Sequence, residues 1–150
     1  MAHASVTLTA RRRLPGLRAA DVRRDAARLL ALLEIDAELS VALIGDTEMH
    51  DLNRDWRGKD RPTDVLAFAL REGEDAGVHP DVLGDVVISL DTAARQAAAR
   101  DATLADEVRV LLAHGILHLL GYDHERSPAD ARRMFAKQRA LLRRLAAARG

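Results

Sequence analysis

The amino-acid sequence predicts one α+β domain in which a mixed sheet of about four strands is packed with helices. This prediction rests on segments that alternate apolar and polar residues, on segments whose apolar residues repeat with a helical period, and on cap residues before two long helices. The chain has 150 residues, an ordinary size for one domain. We therefore expect residues 1–150 to form a single domain.

The N-terminal part of the chain alternates strand and helix. Apolar side chains alternate at residues 6–10 and again at 39–43, as in half-buried strands. The Pro15-Gly16 pair interrupts the chain between them and is followed by residues that share one face of a predicted helix. These residues are Val22, Ala26, Leu29, Leu30 and Leu33.

The middle of the chain predicts a short helix and two more strands. Gly45-Asp46 turns the chain into a helix that carries Met49 and Leu52. The strand candidates are residues 65–70 and 86–90, and the polar, glycine-containing segment 71–80 between them is predicted to be a loop.

Cap residues mark two helices in the C-terminal part. Thr103 and Asp106 form a capping box before the first, and Ser127 and Pro128 supply the N-cap and first-turn proline of the second. We expect the first helix to be central in the domain. The helix that begins at Pro128 has an apolar stripe, and we expect its side chains, including those of Met134 and Phe135, to lie in the core. The stripe consists of Ala131, Met134, Phe135, Leu141, Leu142 and Leu145.

Three histidines in this region have the spacing of a metal site. His114 and His118 are four residues apart, so they lie on one face of the predicted helix. Gly121 can end that helix in a left-handed conformation and turn the chain, which brings His124 back over the same face. We therefore predict that His114, His118 and His124 are metal ligands.

The residue beside the first histidine argues against a peptidase. The ligand spacing is that of the metzincin proteases, in which a glutamate follows the first histidine and acts as the general base. Here that residue is Gly115, and mid-helix glycine suggests that something approaches the backbone closely. Three neutral nitrogens with an open fourth position favour Zn²⁺, although Ni²⁺, Co²⁺ or Cu²⁺ would also accept imidazoles.

Composition limits the class of protein. The chain has 23 basic and 23 acidic residues, so its net charge indicates no polyanionic partner and any nucleic-acid contact must be local. It has no cysteine, which excludes thiolate ligands and is consistent with a reducing compartment. No signal peptide or membrane-spanning apolar run is visible, and we expect a cytoplasmic protein with no membrane partner.

A second group of residues has the composition of a nucleic-acid contact. Arg54, Arg57, Lys59 and Arg61 fall within eight residues and surround Trp56, the only tryptophan. Such a segment could hold phosphates by charge and stack a base on the indole ring. The alternative, which composition alone favours, is a solvated loop with Trp56 anchored in the core.

Two aspartates are candidates for hydrogen bonds to the histidine ligands. Asp85 follows Gly84 ahead of a predicted strand, and Asp123 precedes His124. Metal-bound histidines commonly donate their second N–H to a carboxylate. Either aspartate may instead cap a turn.

Three segments together resemble the YbeY family of bacterial endoribonucleases, also called ribosomal RNA maturation factors. They are Arg57-Gly58-Lys59-Asp60 through Pro62-Thr63-Asp64-Val65-Leu66, Leu83-Gly84-Asp85-Val86-Val87-Ile88-Ser89, and the run His114 to His124. The histidine motif H-G-x-L-H-L-x-G-Y-D-H is specific, because its glycine and its Tyr-Asp pair separate it from the proteases. The chain departs from the family pattern at Ala67, Ala69 and Gln138.

The resemblance implies a zinc-dependent, single-strand-specific endoribonuclease that acts in 16S rRNA 3′-end maturation and in ribosome quality control, in the cytoplasm. It implies single-stranded RNA or rRNA as substrate, and the small ribosomal subunit with its assembly proteins as partners. By position, the three histidines match the family's metal ligands and Arg57 matches its active-site arginine. The alternatives are a non-catalytic ribosome assembly factor with a structural metal, and a metallopeptidase that recruits Glu125 or Asp123 as its base.

Overall fold

A computed structural model describes residues 4–69 and 81–149 of the chain. These residues form an α+β domain with a four-stranded sheet and five helices, as predicted. In chain order the elements are β1 (Ser5–Ala10), α1 (Ala19–Leu32), β2 (Glu38–Ile44), α2 (Asp46–Arg57), β3 (Val65–Ala69), β4 (Val82–Ser89), α3 (Leu90–Ala99), α4 (Leu104–Leu119) and α5 (Pro128–Arg149). Leu70 and the loop predicted at residues 71–80 lie outside the described residues.

The sheet is mixed, which confirms the predicted fold class. Its strand order is β1-β2-β4-β3. The pairs β1–β2 and β2–β4 are parallel, whereas β3 runs antiparallel to β4. The carboxyl ends of β2 and β4 therefore lie at the same edge of the sheet, where α2 and α3 begin.

Helices cover both faces of the sheet. On one face α1 and α4 close the larger core, and on the other α2 closes a small cluster made of Ile44, Met49, Leu66 and Val87. Helix α4 packs against β3, β4, α1, α3 and α5, so the helix with the first two histidines is central, as expected.

Strand β4 and helix α3 differ from the sequence prediction. The strand begins at Val82, four residues before the predicted start, and Leu90 belongs to α3. Gly84, which the sequence places ahead of the strand, lies inside it with φ of 147°, and a Cβ there would stand 2.3 Å from the carbonyl oxygen of Phe68. Helix α3 was not predicted because its apolar residues are mostly alanine, which gives a weak periodic signal.

The predicted helix caps are confirmed. The Thr103 hydroxyl accepts a hydrogen bond from the Asp106 N–H at 3.0 Å, and the Ser127 hydroxyl accepts one from the Asp130 N–H at 3.1 Å. The prediction that Phe135 is a core residue is wrong. It is 38% exposed, because it is displaced about 100° around the helix from the fully buried Met134.

A group of polar side chains joins the starts of α2 and α3, and we call it the Asp46 cluster: Asp46, Ser89, Asp91, Thr92 and Arg95. One oxygen of Asp46 accepts hydrogen bonds from the Ser89 and Thr92 hydroxyls at 2.7 Å, and Arg95 lies 2.8 Å from the other. Asp91 accepts a hydrogen bond from the Asp46 N–H at 2.9 Å. These bonds hold two helix N-termini together at the edge of the sheet.

Within residues 4–69 and 81–149, no helix combines the length and apolar character that a membrane crossing requires.

Candidate metal centre

The three predicted ligands converge in the structure, and we call them the histidine cluster: His114, His118 and His124. One ligand nitrogen from each ring lies within 4.8 Å of the others. His114 and His118 project from one face of α4, with ring centroids 4.9 Å apart. Beyond the helix end, Gly121 has φ of 99° and turns the chain. The ring centroid of His124 therefore lies 5.0 Å from that of His114. The helix, the glycine turn and the returning loop are all as the spacing predicted.

The surroundings of His114 and His118 favour the neutral form of both imidazoles. Burial lowers the pKa of His114 below its usual value, and the neighbouring His124 lowers it further, against the opposing effect of the Gln138 hydrogen bond. The pKa of His118 is lowered by burial and by the two other histidines. A neutral imidazole has a free lone pair, which is the form that binds a metal ion.

Gln138, on α5, orients His114. The Nδ1–H of His114 donates a hydrogen bond to Oε1 of Gln138 at 2.9 Å, which leaves Nε2 free for an ion. Gln138 is only 9% exposed. Gln138 is one of the departures from the family pattern, and no local sequence pattern predicts a role for it. Only the packing of α5 on α4 brings it to His114.

The residues present fit a bound cation. Nδ1 of His124 is buried and has no hydrogen-bond partner among the described residues. An unpaired buried polar atom is costly, and coordinating an ion would satisfy such a lone pair. The cluster consists of nitrogen donors, which suit Zn²⁺ and other divalent transition metals more than Mg²⁺ or Ca²⁺.

Gly115 lets α4 lie close to the sheet. A Cβ at this position would stand 2.7 Å from Cγ1 of Val86 and 3.4 Å from Cγ2 of Val65. The close approach predicted from this mid-helix glycine is therefore confirmed, and the approaching group is the sheet. The position that carries a glutamate base in metzincins is turned into the protein core.

The histidine cluster lies in a cleft of about 800 Å³ that also receives Arg57, Lys59 and Arg61. Arg57 is the last residue of α2, and its Nη2 is 3.9 Å from Oε1 of Glu125. The same carboxylate oxygen is 3.8 Å from Nε2 of His124. Arg57 therefore reaches across the cleft to the loop that carries the third histidine.

Two side chains that the sequence analysis did not single out hold the segment after Arg57. Asn53 is 1% exposed, and its amide donates a hydrogen bond to the carbonyl oxygen of Arg61 at 2.8 Å. His50 donates a hydrogen bond from Nε2 to Asp60 at 2.6 Å, and this contact lowers the pKa of Asp60. Both come from α2, so this helix fixes the basic segment that follows it.

The two aspartates proposed as histidine partners have other contacts. Asp85 lies within β4 and faces away from α4, where it accepts a hydrogen bond from Ser40 and where burial raises its pKa. Asp123 lines the cleft, but its carboxylate accepts the backbone N–H of Glu125 at 2.8 Å. The prediction for Asp85 is wrong, and for Asp123 the alternative of a turn cap is confirmed.

The favoured interpretation of Trp56 as a core anchor is wrong. The residue is 71% exposed and lines the cleft beside Arg57. Arg54, in contrast, is paired with Asp51 and Asp55 on the surface of α2.

Comparisons with known proteins agree with this geometry. The model of the family described as endoribonuclease YbeY matches residues 17–146. A protein named endoribonuclease YbeY from Syntrophotalea carbinolica is 53% identical over 111 residues, which cover 73% of this chain and 74% of the relative. One of the same name from Anaeromyxobacter sp. (strain Fw109-5) is 57% identical over 120 residues, covering 80% of this chain and 60% of the relative.

A solved structure has the same fold. The solution structure of TM1509 from Thermotoga maritima matches with a TM-score of 0.66 and 28% identity, over 93% of this chain and 88% of the other. The segment matched by the family model contains α1 to α4, and it includes both the histidine cluster and Arg57. On these grounds the chain belongs to the YbeY family of endoribonucleases.

Proposed function

We propose that this protein is a zinc-dependent, single-strand-specific endoribonuclease that acts in 16S rRNA 3′-end maturation and in ribosome quality control. The observation that carries the proposal is that His114, His118 and His124 share one cleft with Arg57, in a chain of an endoribonuclease family. The 16S rRNA assignment, the small ribosomal subunit and assembly factors as partners, and the cytoplasmic location rest on the family.

The histidine cluster supplies the metal ligands in this proposal. A Zn²⁺ ion held there would provide Lewis acidity and a bound water whose pKa falls from 15.7 to about 7. Burial lowers the pKa of His114 and of His118, which favours the neutral form that binds a metal ion. Gln138 fixes which nitrogen of His114 faces the ion.

Arg57 is the proposed catalytic residue of the chain. Its guanidinium stays charged at all relevant pH values and can bind two phosphate oxygens at once. From its place across the cleft from His124 it would neutralise the charge that grows on the scissile phosphate. Binding of the phosphate would displace the weak contact with Glu125, since a half-exposed pair at 3.9 Å contributes little.

The size and charge of the cleft support the proposed preference for one strand of RNA. Its volume of about 800 Å³ is in the range of small-ligand sites and accommodates a few nucleotides. Lys59 and Arg61 line it beside Arg57 and would contact neighbouring phosphates. Affinity for single-stranded RNA should therefore fall as salt concentration rises.

The experiment that tests the proposal compares zinc-loaded wild type with Arg57→Ala in cleavage of single-stranded RNA. We expect kcat to fall by about 10²–10³-fold, the effect of removing one charge-stabilising donor, with zinc content and melting temperature unchanged. Arg54→Ala is the matched control, because Arg54 lies one helical turn earlier and is paired with Asp51 and Asp55.

Three outcomes would contradict the proposal. Cutting by Arg57→Ala at the wild-type rate would indicate a contaminating nuclease and favour an assembly factor with a structural metal. Chelator-sensitive cleavage of peptides would favour a metallopeptidase. Equal cleavage of duplex and single-stranded RNA would contradict the strand preference.

Analysis of the RNA ends identifies the nucleophile. A 2′,3′-cyclic phosphate would show that the 2′-hydroxyl of the RNA attacks, and a linear phosphate from the first turnover would show that water does.

A further inference from the structure

Among the described residues, Trp56 and Phe135 are the exposed large hydrophobic side chains, and both line the cleft. Phe135 packs against the histidine cluster, because its ring centroid lies 6.1 Å from that of His114 and 5.8 Å from that of His124. Trp56 has no such role. At 71% exposure it is the more exposed of the two.

The contacts of Trp56 leave most of its indole ring uncovered. Its aromatic neighbour is Phe68, at a centroid distance of 5.9 Å and an interplanar angle of 67°, which is an edge-on contact. Such a contact is a favourable aromatic geometry, and at 71% exposure the greater part of the Trp56 side chain remains open to solvent. The side chain is thus positioned by the protein and yet open to a flat ligand.

The position of Trp56 relative to charge identifies that ligand. It directly precedes Arg57 in the last turn of α2, and the segment after it, with Lys59 and Arg61, is held by Asn53. An exposed aromatic ring beside a row of cations in a groove is the arrangement that binds single-stranded nucleic acid, in which bases stack and phosphates pair with the cations. A protein partner would need a broader apolar surface than one indole ring.

We propose that Trp56 is a nucleobase-stacking residue, which binds one unpaired base of the RNA strand next to the phosphate held by Arg57. This inference rests on the proposed ribonuclease function. It adds a physical source for strand preference, because a base within a duplex is already stacked on its neighbours and cannot cover the indole. Stacking does not depend on which base is present, so Trp56 confers strand selectivity without sequence selectivity.

Fluorescence gives a direct test, because Trp56 is the only tryptophan of the chain. Zinc-loaded wild-type protein is titrated at low temperature against a short single-stranded RNA and against the same sequence in a duplex, with readings taken before cutting begins and the length of the RNA checked afterwards. We expect the single strand to quench the emission and the duplex to leave it nearly unchanged. Unchanged emission at saturating single strand, with binding verified by anisotropy of labelled RNA, would overturn the proposal.

Variants separate stacking from packing. Trp56→Leu should raise the Kd for single-stranded RNA about tenfold, whereas Trp56→Phe, which keeps an aromatic face, should stay within about threefold of wild type. Both should keep the zinc content and melting temperature of wild type. Equal Kd values for Trp56→Leu and wild type, or equal losses in both variants, would contradict a stacking role.

RNAs with a single abasic nucleotide locate the stacked base. At one position the abasic RNA should bind wild type and Trp56→Leu equally, because the partner of the indole is missing. If every abasic position leaves the tenfold difference intact, the indole does not contact a base. These are equilibrium measurements, so a protein that stacks RNA but does not cut it contradicts only the proposed function. A protein that cuts with Kd and KM unchanged in Trp56→Leu contradicts only the stacking.

Discussion

The histidine cluster and the Asp46 cluster are both groups of polar side chains at the ends of secondary-structure elements. They differ in whether their polar atoms have hydrogen-bond partners within the protein. In the Asp46 cluster both carboxylates accept hydrogen bonds from partners within the protein. In the histidine cluster, His114 has one partner and the buried Nδ1 of His124 has none among the described residues. The first group is complete as it stands, whereas the second would be completed by a bound ion.

The electrostatics of the two clusters differ in the same way. Burial raises the pKa of Asp46, but the hydrogen bonds from Ser89, Thr92 and Arg95 outweigh it and hold the pKa below the usual value of 3.8. Burial lowers the pKa of His114 and His118, and the mutual proximity of the rings lowers it further. The protein therefore stabilises the charge of one cluster and suppresses charge in the other. A polar cluster without a complete set of internal partners is the one to examine for a ligand.

His114→Ala should give the largest effect, because it removes one of the three ligands. Removing a residue that hydrogen-bonds to a metal ligand typically lowers metal affinity by roughly 10–100-fold. We expect the loss of a ligand itself to lower zinc affinity by more than this and to abolish zinc-dependent RNA cleavage. Elemental analysis after dialysis and a cleavage assay on the same sample measure both. His50→Ala is the control for zinc content alone, since His50 lies outside the cluster and pairs with Asp60. Full zinc content in His114→Ala would contradict the interpretation that the histidine cluster, unlike the Asp46 cluster, is completed by an ion.

Gln138→Ala should give an intermediate effect. Without the acceptor for its Nδ1–H, His114 is less well oriented, and zinc affinity should fall by about 10–100-fold in a chelator-competition titration. Gln138→Glu, which keeps an acceptor, should retain or exceed wild-type affinity. Gln96→Ala, a matched change at an amide that contacts Asp64, should leave zinc affinity unchanged. Equal affinities for Gln138→Ala and wild type would show that the Gln138 contact does not support the metal site.

Asp46→Asn should give the smallest effect, on stability alone. We expect a loss of about 1 kcal/mol in the free energy of unfolding, which is below the roughly 1.5–3 kcal/mol typical of hydrogen bonds to a charged group because the side chain is 28% exposed. Since the folded pKa of Asp46 is lowered, its stabilisation is complete above the usual value of 3.8 and is lost as pH falls through the folded pKa. The deficit of the variant should therefore shrink in acid.

Urea unfolding at several pH values measures this dependence, with Asp51→Asn as the control, since Asp51 is 57% exposed. A deficit that does not change with pH, or a change in zinc affinity in Asp46→Asn, would contradict a purely structural role.

The sequence predicts the metal site better than it predicts the sheet around it. The spacing of His114, His118 and His124 and the turn at Gly121 are local features, so helical geometry and the glycine turn together predict their convergence. Gly84, in contrast, lies inside β4 because of a close approach from Phe68 on another strand, and no local pattern reveals that.

The cleft walls depend on packing in the same way. Phe135 and Gln138 belong to α5, and only the docking of α5 on α4 shows that they contact the histidines and that Phe135 is not buried in the core. The exposure of Trp56 also follows from tertiary structure, because α2 ends at the edge of the cleft. Composition favoured burial of the tryptophan, since aromatic side chains usually contribute to cores.

The central claim is that the histidine cluster binds a divalent transition metal. Calorimetric titration of metal-free wild type with Zn²⁺, alongside His114→Ala, tests it most directly. We predict one ion per wild-type chain, a melting temperature that rises with free zinc, and loss of both effects in the variant. Zinc uptake well below one ion per chain, or equal uptake by the variant, would contradict the claim.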